Sequence, residues 1–179
     1  MVDQAQPILM MTSRLRFRWL NGDDLANLYG LYRDIRVMRF VTGRPRTWAE
    51  TERKLAETLA NYNTYNTGLY AVEDRSTGHF IGRCGLEPHV EVEGLAGDLA
   101  WMFHPDRWGR GYGTEAAHAL LDLGRQTTSL YRVFATADHR NVASISIMTR
   151  IGLEHIRSDD RGVEYEWRRK RGTESGLER

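Results

Sequence analysis

The sequence predicts an α/β fold built on a mixed, mostly antiparallel sheet. Segments with strand and helix periodicity alternate along the chain, in the order strand, two helices, three strands, helix, strand, helix and two strands. A glycine-rich loop joins a strand to a helix in the second half, and that helix is suited to cross between two parallel strands. The sheet should contain about seven strands, flanked by about four helices.

The predicted helices follow from caps and apolar spacing. Asp24 is an N-cap candidate before a run with helical periodicity, and Thr47 with Glu50 forms a capping-box pattern. Asn141 can cap the last helix, and Gly152 can end it. The helices are predicted over residues 25–32, 48–62, 115–126 and 142–151.

The predicted strands follow from alternation and from turn residues. Basic and apolar residues alternate over 14–20, and an Asp-Arg-Ser-Thr-Gly turn at 74–78 predicts a hairpin. The segment 39–47 and the acidic, glycine-containing segment 87–97 are predicted to be loops. The strands are predicted over residues 14–20, 69–73, 79–86, 98–103, 131–137, 153–158 and 163–168.

The composition indicates a globular protein with a single domain. Of 179 residues, 41% are hydrophobic and 27% are charged. The expected organisation is a lead-in over 1–12, one domain over 13–171 and a polar tail over 172–179. A formal charge of +1 argues against nucleic-acid binding by bulk positive potential, and Cys84, the only cysteine, excludes an internal disulfide. No metal site is expected. Without signal-like or membrane-spanning runs, we expect a cytoplasmic location and no membrane partner.

A glycine loop is the strongest functional signal. Gly109, Gly111 and Gly113 occupy alternate positions between a strand and a helix, where free N–H groups attract anions. A phosphate-bearing cofactor is therefore expected. The pattern fits a dinucleotide-binding loop poorly because Thr114 stands at the third glycine position, and it lacks the Gly-Lys-Ser/Thr ending of a Walker loop. A tight turn with no ligand is the remaining alternative.

Several motifs resemble those of the GNAT superfamily of acetyl-CoA-dependent N-acetyltransferases, in particular its ribosomal-protein N-terminal acetyltransferase branch. Gly111 and Gly113 match the glycines of the family loop, and Trp108 stands in place of its leading Gln or Arg. The resemblance spans residues 13–168 and implies a GNAT-like fold. The matching segments are residues 15–18, 23–24, 80–82, 105–116, 141–144 and 150–153.

The resemblance implies that coenzyme A binds along the loop and the following motifs. Its pyrophosphate would meet the loop amides, and its pantetheine arm would lie beside the preceding strand and near the cap of the last helix. The implied cofactor-binding residues are Met102, Phe103, Trp108, Gly109, Arg110, Gly111, Tyr112, Gly113, Thr114, Asn141 and Ser144.

The implied reaction is direct attack of a primary amine on the thioester. The main-chain N–H of Phe103 or Met102 would stabilise the oxyanion. Ser144 is the candidate acid for the thiolate, because Met148 stands where relatives carry a Tyr. Asp98 is the candidate base, although an arginine-paired strand carboxylate is an equal reading, and Glu87 is a second candidate.

The acceptor is left open as a peptide N-terminus, a polyamine or an aminoglycoside-like amine. The segment 38–48, with Arg39, Phe40, Arg44 and Trp48, is expected to contact it, and the acidic segment 87–97 would suit a cationic amine. A homodimer is a further expectation. The alternatives are a non-catalytic, CoA-binding regulatory module on the same fold and a nicotinamide-dependent enzyme.

Overall fold

The computed structural model describes residues 8–127 and 129–170. One eight-stranded sheet, in the order β1-β2-β3-β4-β5-β6-β8-β7, carries helices on both faces. The strands are β1 (Ile8–Met11), β2 (Leu15–Trp19), β3 (Leu69–Asp74), β4 (Phe80–Glu91), β5 (Gly94–Phe103), β6 (Leu130–Ala137), β7 (Glu154–Asp159) and β8 (Gly162–Arg168). The helices are α1 (Leu25–Tyr32), α2 (Ile35–Met38), α3 (Trp48–Tyr65), α4 (Tyr112–Gln126) and α5 (Val142–Arg150).

The sheet is antiparallel except where β5 pairs with β6. Those two strands are parallel, and α4 is the crossover between them, as the sequence predicts. The parallel pairing runs on β5 from Leu95 only to Asp98, which pairs with Phe134 of β6. Since β5 itself continues to Phe103, the two strands separate over the second half of β5. This separation opens a gap at the edge of the sheet.

Two apolar clusters fill the two faces of the sheet because successive strand residues point to opposite sides. Val72 belongs to the cluster that contains Leu120 of α4 and Met148 of α5. Its neighbour Ala71 belongs to the cluster that contains Leu31 of α1. Cys84 is fully buried in the first cluster, and burial raises the pKa of its thiol, so this residue is part of the core rather than a nucleophile.

The segment 87–97 is not a loop, which corrects the sequence prediction. Strands β4 and β5 pair continuously from Gly82 with Phe103 to Glu91 with Gly94, so this segment forms the distal end of one long hairpin. Its acidic side chains are compatible with a sheet because they meet cations, as in the pair between Glu91 and Arg132. Local composition therefore indicated a loop where tertiary ion pairs stabilise a strand.

The edges of the fold also differ from the prediction. Residues 8–11, assigned to the lead-in, form β1, because Leu9 and Met10 pack against the core while the strand pairs with β2. The short helix α2 also went unpredicted, which gives eight strands and five helices. Residues 1–7 of the predicted lead-in and the whole predicted tail, 172–179, lie outside the described residues. No helix within 8–127 or 129–170 is both long and apolar enough to cross a membrane.

Candidate active site

A cleft of about 500 Å³ lies beside the second half of β5, beyond the point where its pairing with β6 ends. Its size suits a small-molecule ligand. Strand β5, the glycine loop, the face of α5 and the segment 36–41 form its walls. The lining residues are Arg36, Val37, Arg39, Phe40, Val41, Trp101, Met102, Phe103, Arg107, Trp108, Gly109, Gly111, Tyr112, Gly113, Thr114, Asn141, Ala143, Ser144, Ser146, Ile147 and Arg150.

Nearly all the residues predicted to bind a cofactor line this one cleft. Arg110 is the exception: its neighbours Gly109 and Gly111 line the wall, whereas its carbonyl accepts a hydrogen bond from Arg14. The sequence reasoning missed Val37, Arg36, Ser146 and Arg150. Ser146 and Arg150 lie three and seven residues after Ala143, on one face of α5, but this spacing does not start from the predicted residues Asn141 and Ser144. Only the fold brings α2 to the cleft.

The glycine loop ends in the uncapped N-terminus of α4. Gly111 is the N-cap residue, and no side chain caps the first turn. The N–H groups of Tyr112, Gly113 and Thr114 have no acceptors within the helix and lie on the cleft wall. Gly111 has φ +81°, a conformation that strains any residue with a Cβ. The arrangement is an anion site made of main-chain donors at the positive end of a helix of 15 residues.

Gly113 has a different reason to be glycine. A Cβ atom there would lie 2.9 Å from the Cδ1 atom of Ile147 on α5. The missing side chain therefore lets α4 and α5 approach each other, rather than only letting the backbone approach a ligand.

Trp108 fastens the loop to the end of β5. Its indole N–H donates a hydrogen bond of 2.8 Å to the carbonyl of Phe103. The ring is about half exposed and lines the cleft. The residue that stands in place of the usual Gln or Arg therefore has a structural role, which is to hold the loop against the separated strand.

Main-chain direction distinguishes the two candidate oxyanion donors. The N–H of His104 donates to the carbonyl of Ile81 on β4, at 3.0 Å. Because N–H groups alternate in direction along a strand, the N–H of Met102 also points to β4, whereas those of Phe103 and Trp101 point into the gap. The geometry therefore favours Phe103 over Met102 and adds Trp101.

A carboxylate at the start of α4 braces the loop from behind. Glu115 accepts hydrogen bonds from the hydroxyl of Thr12, the hydroxyl of Ser13, and the main-chain N–H and Nε of Arg14. The guanidinium of Arg14 also donates to the carbonyl of Arg110 at 2.8 Å. Burial alone would raise the pKa of Glu115, but these hydrogen bonds lower it, so the carboxylate is ionised. Nothing in the local sequence indicated this contact across about 100 residues.

Helix α5 presents Asn141 and Ser144 to the cleft. Asn141 caps the helix, as predicted, by accepting a hydrogen bond of 3.3 Å from the N–H of Ser144. Both residues line the cleft, and Ser144 is half-buried. Met148, at the position where relatives carry a Tyr, is fully buried in the core. Of these three side chains, only those of Asn141 and Ser144 reach the cleft wall.

Asp98 is the last β5 residue that pairs with β6, but it does not line the cleft. Among the residues that the structure describes, no cation forms an ion pair with it, so the arginine-paired alternative is not observed. Burial, assisted by the negative charge of Glu87, raises the pKa of Asp98 to about 6. An unpaired carboxylate with this pKa can accept a proton near neutral pH.

Glu87 is a weaker base candidate than Asp98. It lies opposite Asp98 in the β4–β5 ladder and forms an ion pair with Lys54. Burial would raise its pKa, but the cations Arg83 and Lys54 outweigh that effect and lower it. The carboxylate that the sequence offered to a cationic amine is therefore already neutralised within the protein.

The predicted acceptor-binding segment 38–48 divides in two. Arg39 and Phe40 line the cleft. Arg44 instead forms an ion pair with Glu50, and Trp48 packs edge-on against Tyr29 of α1. Only the first part of the segment, next to α2, therefore faces the candidate site.

Within the described residues, no cluster of three or more His, Cys, Asp or Glu side chains could hold a metal ion.

Comparison with known proteins identifies the class to which this fold and cleft belong. Residues 14–154 match the acetyltransferase (GNAT) domain, which is most of the chain. The chain therefore belongs to the GNAT acetyltransferase family and is an N-acetyltransferase, an enzyme class that takes its acetyl group from acetyl-CoA.

Two relatives illustrate the range within the family. The chain is similar to YkkB of Bacillus subtilis (strain 168), an uncharacterised protein, with 31% identity over 155 residues that cover 83% of this chain and 87% of the relative. It is also similar to spermidine N(1)-acetyltransferase of Escherichia coli (strain K12), with 24% identity over 147 residues that cover 78% of this chain and 72% of that enzyme.

Solved structures share the fold along nearly the whole chain. An acetyltransferase from Agrobacterium tumefaciens str. C58 has a TM-score of 0.77 at 26% identity, covering 92% of this chain and 96% of that one. RimL, a ribosomal L7/L12 alpha-N-protein acetyltransferase in complex with coenzyme A, also has a TM-score of 0.77, at 12% identity, covering 90% of this chain and 98% of that one. The structural neighbours thus include the branch that the sequence motifs indicate.

The hydrogen bonds that Glu115 accepts behind the glycine loop predict that its removal lowers both the stability of the fold and the affinity for acetyl-CoA. Glu115→Ala removes the acceptor of the Thr12, Ser13 and Arg14 donors, so the free energy of unfolding should fall by about 1–3 kcal/mol. Because the loop loses its support, acetyl-CoA affinity should fall by about tenfold, or about 1.4 kcal/mol. Denaturant unfolding and calorimetric titration with acetyl-CoA measure the two effects.

Glu57→Ala is the matched control, because Glu57 is an exposed carboxylate on α3 away from the cleft. It should change neither quantity. If Glu115→Ala has the stability and the acetyl-CoA affinity of the unsubstituted protein, the hydrogen bonds of Glu115 have no role in the site.

Proposed function

We propose that the protein transfers an acetyl group from acetyl-CoA to a primary amine, either a protein N-terminus or a small-molecule amine. The observation that carries the proposal is the uncapped start of α4 on the wall of the cleft beside β5. Donors at that place suit a diphosphate, and the gap beside β5 suits an extended arm. The described residues therefore fit coenzyme A by charge and by shape.

The amides at 109–114 would hold the pyrophosphate, and Arg107, which lines the cleft, would add positive charge. Asn141 would position the pantetheine arm from the start of α5. When bound, acetyl-CoA supplies an activated acyl carbon and a thiolate leaving group. Glu115 would act indirectly by fixing the loop, whereas Trp108 fixes the loop and also lines the cleft.

The remaining roles belong to groups around the gap. The N–H group of either Phe103 or Trp101, which both point into the gap, would donate to the carbonyl oxygen of the acetyl group. One oxygen cannot accept from both, because residues two apart on a strand lie about 6.8 Å from each other. Asp98 would accept the proton of the attacking nitrogen through a water molecule, because its side chain lies outside the cleft wall. Ser144 would donate a proton to the sulfur. One proton leaves nitrogen and one reaches sulfur, as the C–N bond forms and the C–S bond breaks.

Turnover is the direct test of the proposed reaction, because Met148 leaves the site without the Tyr that relatives carry. Calorimetric titration with acetyl-CoA is followed by a thiol-release assay with amines and peptides. Submillimolar binding with turnover supports the proposed reaction, whereas binding without turnover on any amine would overturn it and leave a non-catalytic CoA-binding module. No binding at all would contradict both.

A bulky, charged side chain in the glycine loop should greatly weaken the binding of acetyl-CoA. Gly111→Asp should weaken acetyl-CoA binding by about a hundredfold, or about 2.7 kcal/mol, because it places a carboxylate among the donors for the pyrophosphate. Calorimetry measures the affinity directly.

Two variants separate charge from backbone strain. Gly111→Asn has the same size without the charge and should lose less affinity. Gly43→Asp introduces the same residue at a glycine with φ +72° outside the cleft lining, and should bind acetyl-CoA normally. Unchanged affinity in Gly111→Asp would remove the proposed cradle.

The raised pKa of Asp98 predicts the acid limb of the rate profile. Because the carboxylate must be deprotonated to accept a proton, the rate should fall towards tenfold per pH unit below about pH 6. Asp98→Asn should lower the rate at pH 8 and flatten that limb. Both proteins are assayed with the same amine, so that the amine's own titration cancels from the ratio.

Asp122→Asn, an exposed carboxamide variant on α4, is the control and should keep the original profile. An acid limb of unchanged shape in Asp98→Asn would assign the proton to another group.

Ser144 is predicted to affect turnover rather than binding. Ser144→Ala should lower kcat by about a hundredfold, the lower range for loss of a general acid, with acetyl-CoA affinity changed by less than about threefold. Ser146→Ala alters another hydroxyl on the same wall and should keep most of the turnover. Equal kcat in the Ser144 variant and the original protein would leave Ser144 with a packing role.

A further inference from the structure

The cleft wall is strongly cationic. It contains four arginines, Arg36, Arg39, Arg107 and Arg150, and among the described residues that line it there is no carboxylate. An excess of one sign in a cleft raises the local concentration of ligands of the opposite sign. Coenzyme A is itself an anion, so some of these arginines would bind its phosphates. Those that do not are available to bind the acceptor.

The positions of the arginines divide them into two groups. Arg107 directly precedes Trp108 and the glycine loop, and it lies 3.7 Å from the carboxylate of Asp74. Arg36 is paired with Asp34 at 2.5 Å. Within residues 8–127 and 129–170, no carboxylate forms an ion pair with Arg39 or Arg150. Of these two, Arg39 comes from the segment after α2, which is distinct from every motif assigned to the coenzyme.

The exposed side chain of Arg39 stacks on an aromatic ring. Its guanidinium lies over the ring of Phe40, 4.4 Å from the centroid, and Phe40 lines the same cleft. Arg140, from the loop before α5, approaches the same ring at 5.9 Å. Stacking leaves the N–H edge of a guanidinium free for bidentate hydrogen bonds to a carboxylate or phosphate.

Two of the carboxylates in the acidic segment 87–97 that could hold a polycation are already occupied. Glu87 is paired with Lys54, and Glu91 with Arg132 and the hydroxyl of Tyr131. A polyamine in the cleft would face free arginines without compensating carboxylates. The charge distribution thus disfavours the acceptor that the acidic composition of 87–97 had suggested.

We propose that the acceptor is a primary amine on a molecule that also carries a carboxylate or phosphate, and that Arg39 binds this anionic group. The proposal rests on the proposed acetyltransferase function and names its acceptor class. The anion can come from a free amino-acid-like molecule or from acidic residues near the N-terminus of a peptide. Both present the same group to Arg39, at different distances from the amine.

Matched acceptors test the proposal with the full-length protein and acetyl-CoA. One pair is the C-terminally amidated peptides Ser-Asp-Glu-Asp-Ala and Ser-Lys-Gln-Lys-Ala. The other is glutamate and glutaminamide, which lacks both carboxylates, with spermidine as the polycation. We expect kcat/KM at least tenfold higher for the acidic member of one pair, and which pair shows the preference identifies the source of the anion. A preference for spermidine, or equal rates within both pairs, overturns the proposal.

Variants of Arg39 then test whether this residue binds the anionic group of the acceptor. Arg39→Ala should raise KM for the preferred acidic acceptor at least tenfold while KM for acetyl-CoA stays within about twofold, and Arg39→Lys should restore part of the loss. Arg53→Ala, an exposed arginine on α3 outside the cleft lining, is the matched control and should change neither constant. If Arg39→Ala raises KM for acetyl-CoA instead, the residue serves the coenzyme and the proposal is wrong.

Failure of this proposal is distinguishable from failure of the acetyltransferase function. A protein that binds acetyl-CoA and acetylates spermidine best keeps the function and loses the acceptor class. If no compound in the panel is acetylated, titration of the acidic peptide and glutamate into CoA-saturated protein decides the point. Binding of either that Arg39→Ala abolishes supports the proposal, and absence of binding overturns it.

Discussion

The parallel pairing of β5 with β6 stops at Asp98 and Phe134, and the site depends on this interruption of the sheet. Beyond it, β5 continues as a strand with one edge paired to β4 and the other facing the cleft. Unpaired main-chain donors are costly when buried and are normally satisfied. A sheet that leaves several of them facing a cleft provides a surface on which an extended polar ligand can complete the ladder. The separation of two strands thus supplies both the space and the hydrogen-bonding groups.

The anion site at the start of α4 depends on a local and a long-range arrangement together. Locally, Gly111 adopts a positive φ and offers no capping side chain, which leaves the first amides free. At long range, Glu115 fixes the same turn to Arg14 at the start of β2, and Trp108 fixes the other end of the loop to β5. An ionised glutamate in the first turn suits the helix dipole. Its pairing with Arg14 also keeps that negative charge from opposing an anion at the same terminus.

The distribution of charge over the sheet explains why net charge alone says little about the ligand. The chain is almost neutral, at +1. Two acidic residues of the β4–β5 hairpin, Glu87 and Glu91, are paired with cations of α3 and β6, whereas the cleft wall keeps arginines. Arg168 and Arg169, part of a basic run near the end of the described residues, are likewise used internally, by Glu166 and by main-chain carbonyls. The cleft therefore differs in sign from what the local composition around it suggested.

The sequence by itself determined the class of fold, the glycine loop, the crossover helix and the caps at Thr47 and Asn141, because these features depend on local backbone preferences and on periodicity. Motifs resembling a known family also grouped cofactor-binding residues between Met102 and Ser144, and all of these except Arg110 share one cleft. Only the tertiary structure decided that 87–97 is strand, that Arg39 and Phe40 but not Arg44 and Trp48 face the cleft, and that Met102 donates toward β4 while Phe103 faces the gap. Each of these outcomes depends on strand register or on an ion pair between distant segments, such as Glu115 with Arg14. Neither register nor long-range pairing leaves a periodic trace in the local sequence.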